Sequence, residues 1–185
     1  MEQMEEHVKS ILELIGEDAS REGLIKTPHR VAMMFEELLE GYSQDIVQII
    51  NGALFENESE THELIVIDNI SFNSMCEHHM LPFTGKAHIA YIPQDKIIGL
   101  SKIPRIVDVF SKRLQVQERL TNQIADCLIE ILEPLGVIVV IEGTHSCASL
   151  RGVKKEGVMM RTVASRGTFL SDSNVKNEFY ALIKQ

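Results

Sequence analysis

The chain has 185 residues, 44% of them hydrophobic and 24% charged, which suits one globular domain or one domain with a small appendage. Its formal net charge of −9 argues against a general nucleic-acid-binding protein. No apolar run approaches the roughly 18 residues of a membrane span, and the first residues lack the features of a signal peptide. Three cysteines, an odd number, argue against a disulfide framework. We therefore expect a reduced cytoplasmic protein with no membrane or nucleic-acid partner.

The charge is unevenly distributed along the chain. Residues 1–64 carry 4 basic and 15 acidic side chains, whereas residues 65–185 carry 14 and 12. The basic residues of the second part form two clusters, which are either solvated faces or the walls of a pocket for a small anionic ligand. The clusters are Lys102, Arg105, Lys112, Arg113 and Arg119, and Arg151, Lys154, Lys155, Arg161 and Arg166.

The first sixty residues have the apolar spacing of amphipathic helices. The stripe in Val8–Ile15 predicts one helix. Thr27 as N-cap and Pro28 at the first helical position predict the start of a second helix, which ends at Gly41. We therefore predict an N-terminal helical region over residues 1–60.

Residues 61–185 are predicted to form a second domain of strands and helices. The order ββ, αα, ββ, α is typical of an α+β domain with an antiparallel sheet. Nothing obvious in the sequence covers the two edges of a four-stranded sheet, so we expect pairing between subunits. The predicted strands are Leu64–Phe72, Thr84–Ile92, Val137–Glu142 and Val158–Ala164, and the predicted helices are Lys102–Lys112, Val116–Glu133 and Val175–Ile183.

Cysteine and histidine residues in two loops have the pattern of a zinc site. Cys76 and His79 have Cys-x-x-His spacing after one predicted strand, and Cys147 follows another. Three protein ligands plus a water are typical of catalytic zinc. The alternatives are inert thiols in a chance run, or a disulfide between Cys76 and Cys147. Cys127 lies beside a helical apolar stripe and is interpreted as a small buried hydrophobic residue.

Two further histidines, His78 and His145, adjoin these ligands in sequence. Near a metal-bound water, a neutral imidazole is a natural proton carrier at neutral pH. A histidine in this position can equally serve only to orient a ligand.

The segment around Ser101 is predicted to start a helix, with Ser101 as N-cap. Unpaired N–H groups at a helix start attract anions, and Lys102 and Arg105 add positive charge. Arg151 can join them from the other half of the domain. The alternative is an ordinary solvated helix end.

Gln117 and Glu118 open the longest predicted helix. A carboxylate in a first turn often only complements the helix dipole. The functional alternative is that Glu118 accepts two N–H donors of a ligand, a pair that guanine offers at its Watson–Crick edge.

Several separated motifs of the chain, in order and over nearly its whole length, closely resemble the GTP cyclohydrolase I family. They are Cys76-Glu77-His78-His79, Gly99-Leu100-Ser101-Lys102, Gln115-Val116-Gln117-Glu118-Arg119-Leu120-Thr121, His145-Ser146-Cys147 with Arg151-Gly152, and the N-terminal Gly16-Glu17-Asp18, Arg21-Glu22-Gly23-Leu24 and Thr27-Pro28-His29-Arg30-Val31-Ala32.

The resemblance implies a tunnelling fold, in which antiparallel ββααββ units with an N-terminal helical extension join side by side into an oligomeric barrel. It implies a homodecamer of two face-to-face pentamers with active sites at subunit interfaces. It also implies one Zn²⁺ per subunit, bound by Cys76, His79, Cys147 and a water.

The resemblance further implies the reaction. GTP is hydrolysed at C8 of its guanine, formate leaves, and rearrangement gives 7,8-dihydroneopterin triphosphate, the first step of pterin and tetrahydrofolate biosynthesis. His145 and His78 would handle protons, and Glu118, helped by Gln117, would hold the guanine edge.

The resemblance assigns the remaining site residues to the ribose and triphosphate. Ser101 would lie near the ribose and phosphates, with a catalytic role. Lys102, Arg105 and Arg151 would bind the triphosphate, some of them from a neighbouring subunit.

Two positions depart from the family pattern. Met33 stands where a lysine is expected to reach the triphosphate, so one phosphate contact is in doubt. Leu114 stands where a proline often precedes the Gln-Val-Gln-Glu motif, and we expect little consequence from this change.

Two other functions compete with this one. A tunnelling-fold relative such as a deazaguanine nitrile reductase would use a cysteine thiolate without zinc, which does not require the Cys-Glu-His-His run. A non-catalytic oligomer that only binds a purine nucleotide would not require His145 and Cys147, both of which are intact.

Overall fold

The computed structural model describes residues 1–59 and 61–183. It divides into two compact units, Met1–Glu40 and Gly41–Gln185. Glu60, at the predicted domain boundary, lies outside the described residues, and that boundary stays a prediction. No helix in the described ranges is long and apolar enough to cross a membrane.

The first unit contains the two predicted helices, α1 (Glu2–Leu14) and α2 (Thr27–Leu38), although α2 ends at Leu38 and not at Gly41. His29 Nδ1 lies 3.0 Å from Glu5 Oε1 and joins the two helices. Thr27 is not the N-cap, because it is already the first helical residue, and Lys26 takes the N-cap position without a side-chain capping bond. Met33 lies half-exposed on α2.

The second unit begins within a 3₁₀ turn and continues with a short helix, four successive strands and then further helices and strands. The elements are the 3₁₀ turn Glu40–Tyr42, α3 (Ile46–Ile50), β1 (Leu54–Glu56), β2 (Ile65–Cys76), β3 (Pro82–Ile92), β4 (Lys96–Ile98), α4 (Lys102–Ser111), β5 (Leu114–Gln115), α5 (Gln117–Leu132), β6 (Gly136–His145), α6 (Ser146–Ser149), β7 (Met159–Gly167), α7 (Thr168–Ser171) and α8 (Ser173–Ile183).

The main sheet of the described residues has five strands in the order β5-β2-β3-β6-β7. The four long strands are antiparallel, as predicted, and the α+β class is confirmed. The sheet is nevertheless mixed, because β5 pairs in parallel with the end of β2. A strand of two residues has no periodic pattern to reveal it in a sequence. Along the described part of the chain, β7 pairs only with β6, so its outer edge is open.

The helices α4 and α5 cover one face of this sheet and form the larger apolar core. The stripe Leu120, Ile124 and Leu128 of α5 is completely buried there. Cys127 lies in the same core, as expected, and burial raises the pKa of its thiol to about 11. A smaller cluster on the opposite face packs Phe169 and Phe179 against β3 and β6.

Candidate metal centre and active site

The loop between β2 and β3 folds Cys76 and His79 toward each other. The backbone N–H of Met80 donates to the Cys76 carbonyl at 2.8 Å, and Met80 takes a left-handed conformation with φ of 52°. Cys76 Sγ lies 3.9 Å from His79 Nδ1 as a result. The Cys-x-x-His spacing therefore places two donor atoms on one side of a tight turn.

The pairing of β3 with β6 brings the third candidate ligand to this turn. Phe83, at the start of β3, lies opposite His145, at the end of β6. Cys147 follows two residues later, in α6. The ligand atoms of Cys76, His79 and Cys147 all lie within 4.8 Å of one another. Burial and the neighbouring Cys76 thiol both raise the pKa of the Cys147 thiol.

The donor set fits a zinc ion with an open coordination position. Tetrahedral zinc binds sulfur at about 2.3 Å and nitrogen at about 2.0 Å, which puts such ligands roughly 3.5–3.8 Å apart. The Cys76–His79 separation of 3.9 Å is close to this spacing. Two thiols and one imidazole form a soft donor set that suits zinc better than Mg²⁺ or Ca²⁺.

His145 lies beside this group, with its ring held on two sides. It stacks on Phe83 with the ring centroids 4.5 Å apart and the planes at 4°. Its Nε2 lies 2.9 Å from Gln117 Oε1. Burial lowers the pKa of His145, while the charge of Glu118 acts in the opposite direction. Glu118 is therefore electrostatically coupled to this histidine, and its side chain is exposed at the start of α5.

An ion pair that sequence reasoning missed joins the start of α5 to the Cys76–His79 turn. Nη1 and Nη2 of Arg119 donate to the Glu77 carboxylate, at 2.5 and 3.0 Å. This bond to Arg119 lowers the pKa of Glu77. His78 is exposed next to it, with Nδ1 4.0 Å from Cys76 Sγ. The only signal in the sequence was that both residues lie within recognised motifs.

Arg151 also lies at this end of the sheet. Its Nη1 donates to His79 Nε2 at 3.0 Å. In this arrangement Nε2 of His79 is the acceptor, so the ring hydrogen lies on Nδ1.

The other predicted site residues lie at the opposite end of the same sheet. The strand β3 runs from Phe83, beside His145, to Ile92, a length of about 30 Å. Near its far end, Tyr91 Oη accepts a hydrogen bond from the N–H of Ile98, three residues before Ser101. Within one chain, the start of α4 is therefore remote from Cys147.

The three residues at the start of α4 differ in their surroundings. Ser101 is exposed at the N-cap position without a side-chain capping bond. Lys102 Nζ donates to the carbonyl of Ile49 at 2.8 Å, near the end of α3. Arg105 is exposed on the first turn.

Leu114, at the other departure from the family pattern, donates its N–H to Tyr42 Oη at 3.1 Å, a bond that proline cannot make.

A cysteine–histidine–cysteine group that could hold a metal ion, two neighbouring histidines and an exposed carboxylate lie at one end of the sheet, an arrangement typical of a metal-dependent enzyme. The comparisons with known proteins identify which one. The sequence profile of GTP cyclohydrolase I matches residues 4–184. The GTP cyclohydrolase 1 of Campylobacter jejuni subsp. jejuni (strain 81116) is 52% identical over 97% of this chain and 93% of its own. That of Leptospira biflexa is 52% identical over 98% of both chains.

The chain belongs to the GTP cyclohydrolase I family, and the resemblance inferred from its motifs is confirmed. It is an enzyme that converts GTP and water to formate and 7,8-dihydroneopterin triphosphate. Among solved structures, the apo form of an archaeosine synthase QueF-Like protein matches 58% of this chain and 97% of its own, at 18% identity and a TM-score of 0.49.

Proposed function

We propose that Cys76, His79 and Cys147 hold one zinc ion per chain and that the reaction takes place beside it. The observation that carries this proposal is the convergence of their three donor atoms within 4.8 Å. When bound, zinc supplies a water whose pKa is lowered to about 7, and thus a nucleophile near neutral pH. Side chains of the protein transfer the protons and bind the guanine and the phosphates.

Glu118 holds the guanine of GTP in this proposal. Its exposed carboxylate lies in the first turn of α5 and acts electrostatically on His145. A carboxylate can accept the two N–H donors of the guanine Watson–Crick edge, which orients C8 toward the metal end of the site. Gln117 assists indirectly, since its own side chain is 1% exposed and forms its hydrogen bonds within the protein.

His145 and His78 hold and move protons in the same site. His145 is held against Phe83, and burial lowers its pKa, which favours the neutral form that can accept a proton. His78 is exposed and is therefore accessible to the ribose of a bound GTP. The two histidines thus differ in burial, which suits His145 for ring opening and His78 for the later ribose steps.

Arg151 contributes to triphosphate binding. Its present acceptor is His79 Nε2, 3.0 Å away. If His79 held the metal through Nδ1, its ring hydrogen would lie on Nε2, and that nitrogen would no longer accept. Arg151 would then be available for another acceptor, and a guanidinium binds phosphate oxygens in pairs.

Ser101, Lys102 and Arg105 reach the triphosphate from a neighbouring subunit. Within one chain they lie near the Tyr91 end of β3, remote from the metal group at the Phe83 end. The edge of β7 is open among the described residues and can pair with another chain. We therefore propose that ββααββ units of the tunnelling fold close into a barrel, in a decamer of two pentamers.

An experiment with mixed oligomers tests whether the site is shared. Cys147→Ser and Arg105→Glu are each expected to be inactive alone, and they are co-expressed with different affinity tags. In a random mixture, about a quarter of the sites combine an intact metal end with an intact α4, so about a quarter of the wild-type turnover returns. Turnover is measured as formate released per chain.

The control pairs Cys147→Ser with Glu118→Ala, both at the same end of the sheet. No turnover should return in that mixture, because no site would be complete. Restoration in the control, or its absence in the first mixture, would contradict a site divided in this way between subunits.

A further inference from the structure

The buried side chain of Gln117 is held in one orientation by groups that accept hydrogen bonds. Its Nε2 donates to the carbonyl oxygens of Ile141 and Met160, both at 3.0 Å, and lies 3.2 Å from Thr162 Oγ1. A carbonyl oxygen has no hydrogen to donate, so the amide nitrogen must face these groups. The amide oxygen of Gln117 therefore faces the opposite way, toward His145.

This orientation determines which nitrogen of His145 carries a hydrogen. His145 Nε2 lies 2.9 Å from Gln117 Oε1, and an amide oxygen can only accept. The hydrogen of the neutral imidazole must therefore lie on Nε2, which leaves a lone pair on Nδ1. Stacking on Phe83 holds the plane of the ring, and the contact with Gln117 Oε1 favours the ring orientation that places Nε2 on that side.

The contact between Gln117 Oε1 and His145 Nε2 depends on the glycine at position 143. A Cβ built there would lie 2.4 Å from Gln117 Oε1 and 3.7 Å from His145 Nε2. Gly143 has no left-handed backbone conformation that would itself favour glycine. The close approach of Gln117 is the reason that a side chain is excluded at this position.

We propose that Gln117 is a positioning residue for the GTP reaction, which fixes His145 in the Nε2–H tautomer and leaves Nδ1 as the atom that exchanges a proton with the substrate. A proton lost by the substrate is gained at Nδ1, while Nε2 keeps its hydrogen and its bond to Gln117 throughout. The proposal rests on the role proposed above for His145. In this proposal, position 117 requires glutamine because its side chain orients His145, and not because it contacts guanine.

The test compares two substitutions of similar shape. Gln117→Met removes the acceptor, and Gln117→Glu keeps an acceptor toward His145. In Gln117→Met, kcat for formate release is expected to fall about 10–100-fold. The KM for GTP should stay within about threefold of the wild type, because no substrate contact is removed. Gln117→Glu should retain more of kcat than Gln117→Met, and zinc per chain should be unchanged in both.

The tautomer is measured directly by solid-state ¹⁵N spectra of histidine-labelled protein, with His145→Ala used to assign the signal. The wild type should show the Nε2–H form, and Gln117→Met should show a mixture of tautomers. Gln115→Met is the matched control, since Gln115 is also a buried glutamine and donates to Phe110 O and Gln123 Oε1 instead. Its His145 signal should equal that of the wild type.

Three results would overturn the proposal. The first is an Nδ1–H tautomer in the wild type, a measurement that needs no substitution at Gln117. The second is a raised KM with unchanged kcat in Gln117→Met, which indicates a substrate contact. The third is full turnover in His145→Ala, which would refute the role of His145 itself. The spectra distinguish this failure, because they test the effect of Gln117 on the tautomer independently of activity. If Gln117→Met does not fold, Gly143→Ala should produce the same mixed tautomer and loss of kcat.

Discussion

Replacing Cys147 by serine is expected to remove bound zinc and to lower turnover of GTP by at least about 10³-fold. A serine hydroxyl stays protonated near neutral pH and is a poor zinc ligand, whereas a thiolate is a strong one. The two remaining donors, Cys76 and His79, cannot fill a tetrahedral site alone. Zinc per chain, measured by mass spectrometry of the metal, and the rate of formate release should fall together.

Cys127→Ala is the matched control for this prediction. Cys127 is also a cysteine, but it lies in the apolar core and its thiol has a pKa of about 11. The control should bind one zinc per chain and turn over GTP at nearly the wild-type rate, although core truncation lowers its stability. Normal zinc content and full activity in Cys147→Ser would refute its assignment as a ligand.

Glu118→Ala is expected to lower kcat/KM for GTP by about 10²–10⁴-fold, because two N–H donors of guanine lose a charged acceptor. Glu118→Gln should lose nearly as much, since its amide accepts one N–H and directs its own N–H at the other donor. Steady-state kinetics of formate release with varied GTP measure both effects.

Glu130→Ala is the control on the same helix, because Glu130 is likewise exposed on α5 but lies three turns further along. Its kinetics should match those of the wild type. If Glu118→Ala changed only the thermal stability of the protein and left kcat and KM unaltered, Glu118 would merely complement the helix dipole.

Long elements were predictable because their side chains repeat many times along the chain. The stripe through Leu120, Ile124 and Leu128 indicates the helix α5, and all three are buried. By contrast, the predicted strand ending at Phe72 continues to Cys76. Asparagine and serine residues at positions 73 and 74 disfavour a strand locally, but pairing with β3 across the sheet outweighs that preference.

Short elements were missed for a different physical reason. The strands β1, β4 and β5 and the helices α3, α6 and α7 each have five residues or fewer, too few for a period to show. They are stabilised by contacts with neighbouring elements that are distant in sequence. Leu114, for example, pairs with Met75 and donates to Tyr42 Oη, two partners that are distant in sequence.

The candidate site was predictable where the chemistry depends on local spacing. Cys76 and His79 lie in one turn, so their spacing alone indicates a half-site. The surroundings of Gln117 were not predictable, because its acceptors on β6 and β7 are 24 to 45 positions away. The bond between Glu77 and Arg119 spans 42 positions and likewise exists only in the folded chain.

Titration of metal-free protein with Zn²⁺ is the most direct test of the proposed centre. Formate and 7,8-dihydroneopterin triphosphate are measured by mass spectrometry after incubation with GTP at each zinc level. We predict that both products form in equal amounts, in proportion to the zinc bound, and reach a plateau at one zinc per chain. Full turnover without bound zinc, or a plateau in zinc binding that Cys147→Ser leaves unchanged, would contradict a catalytic centre built on Cys76, His79 and Cys147.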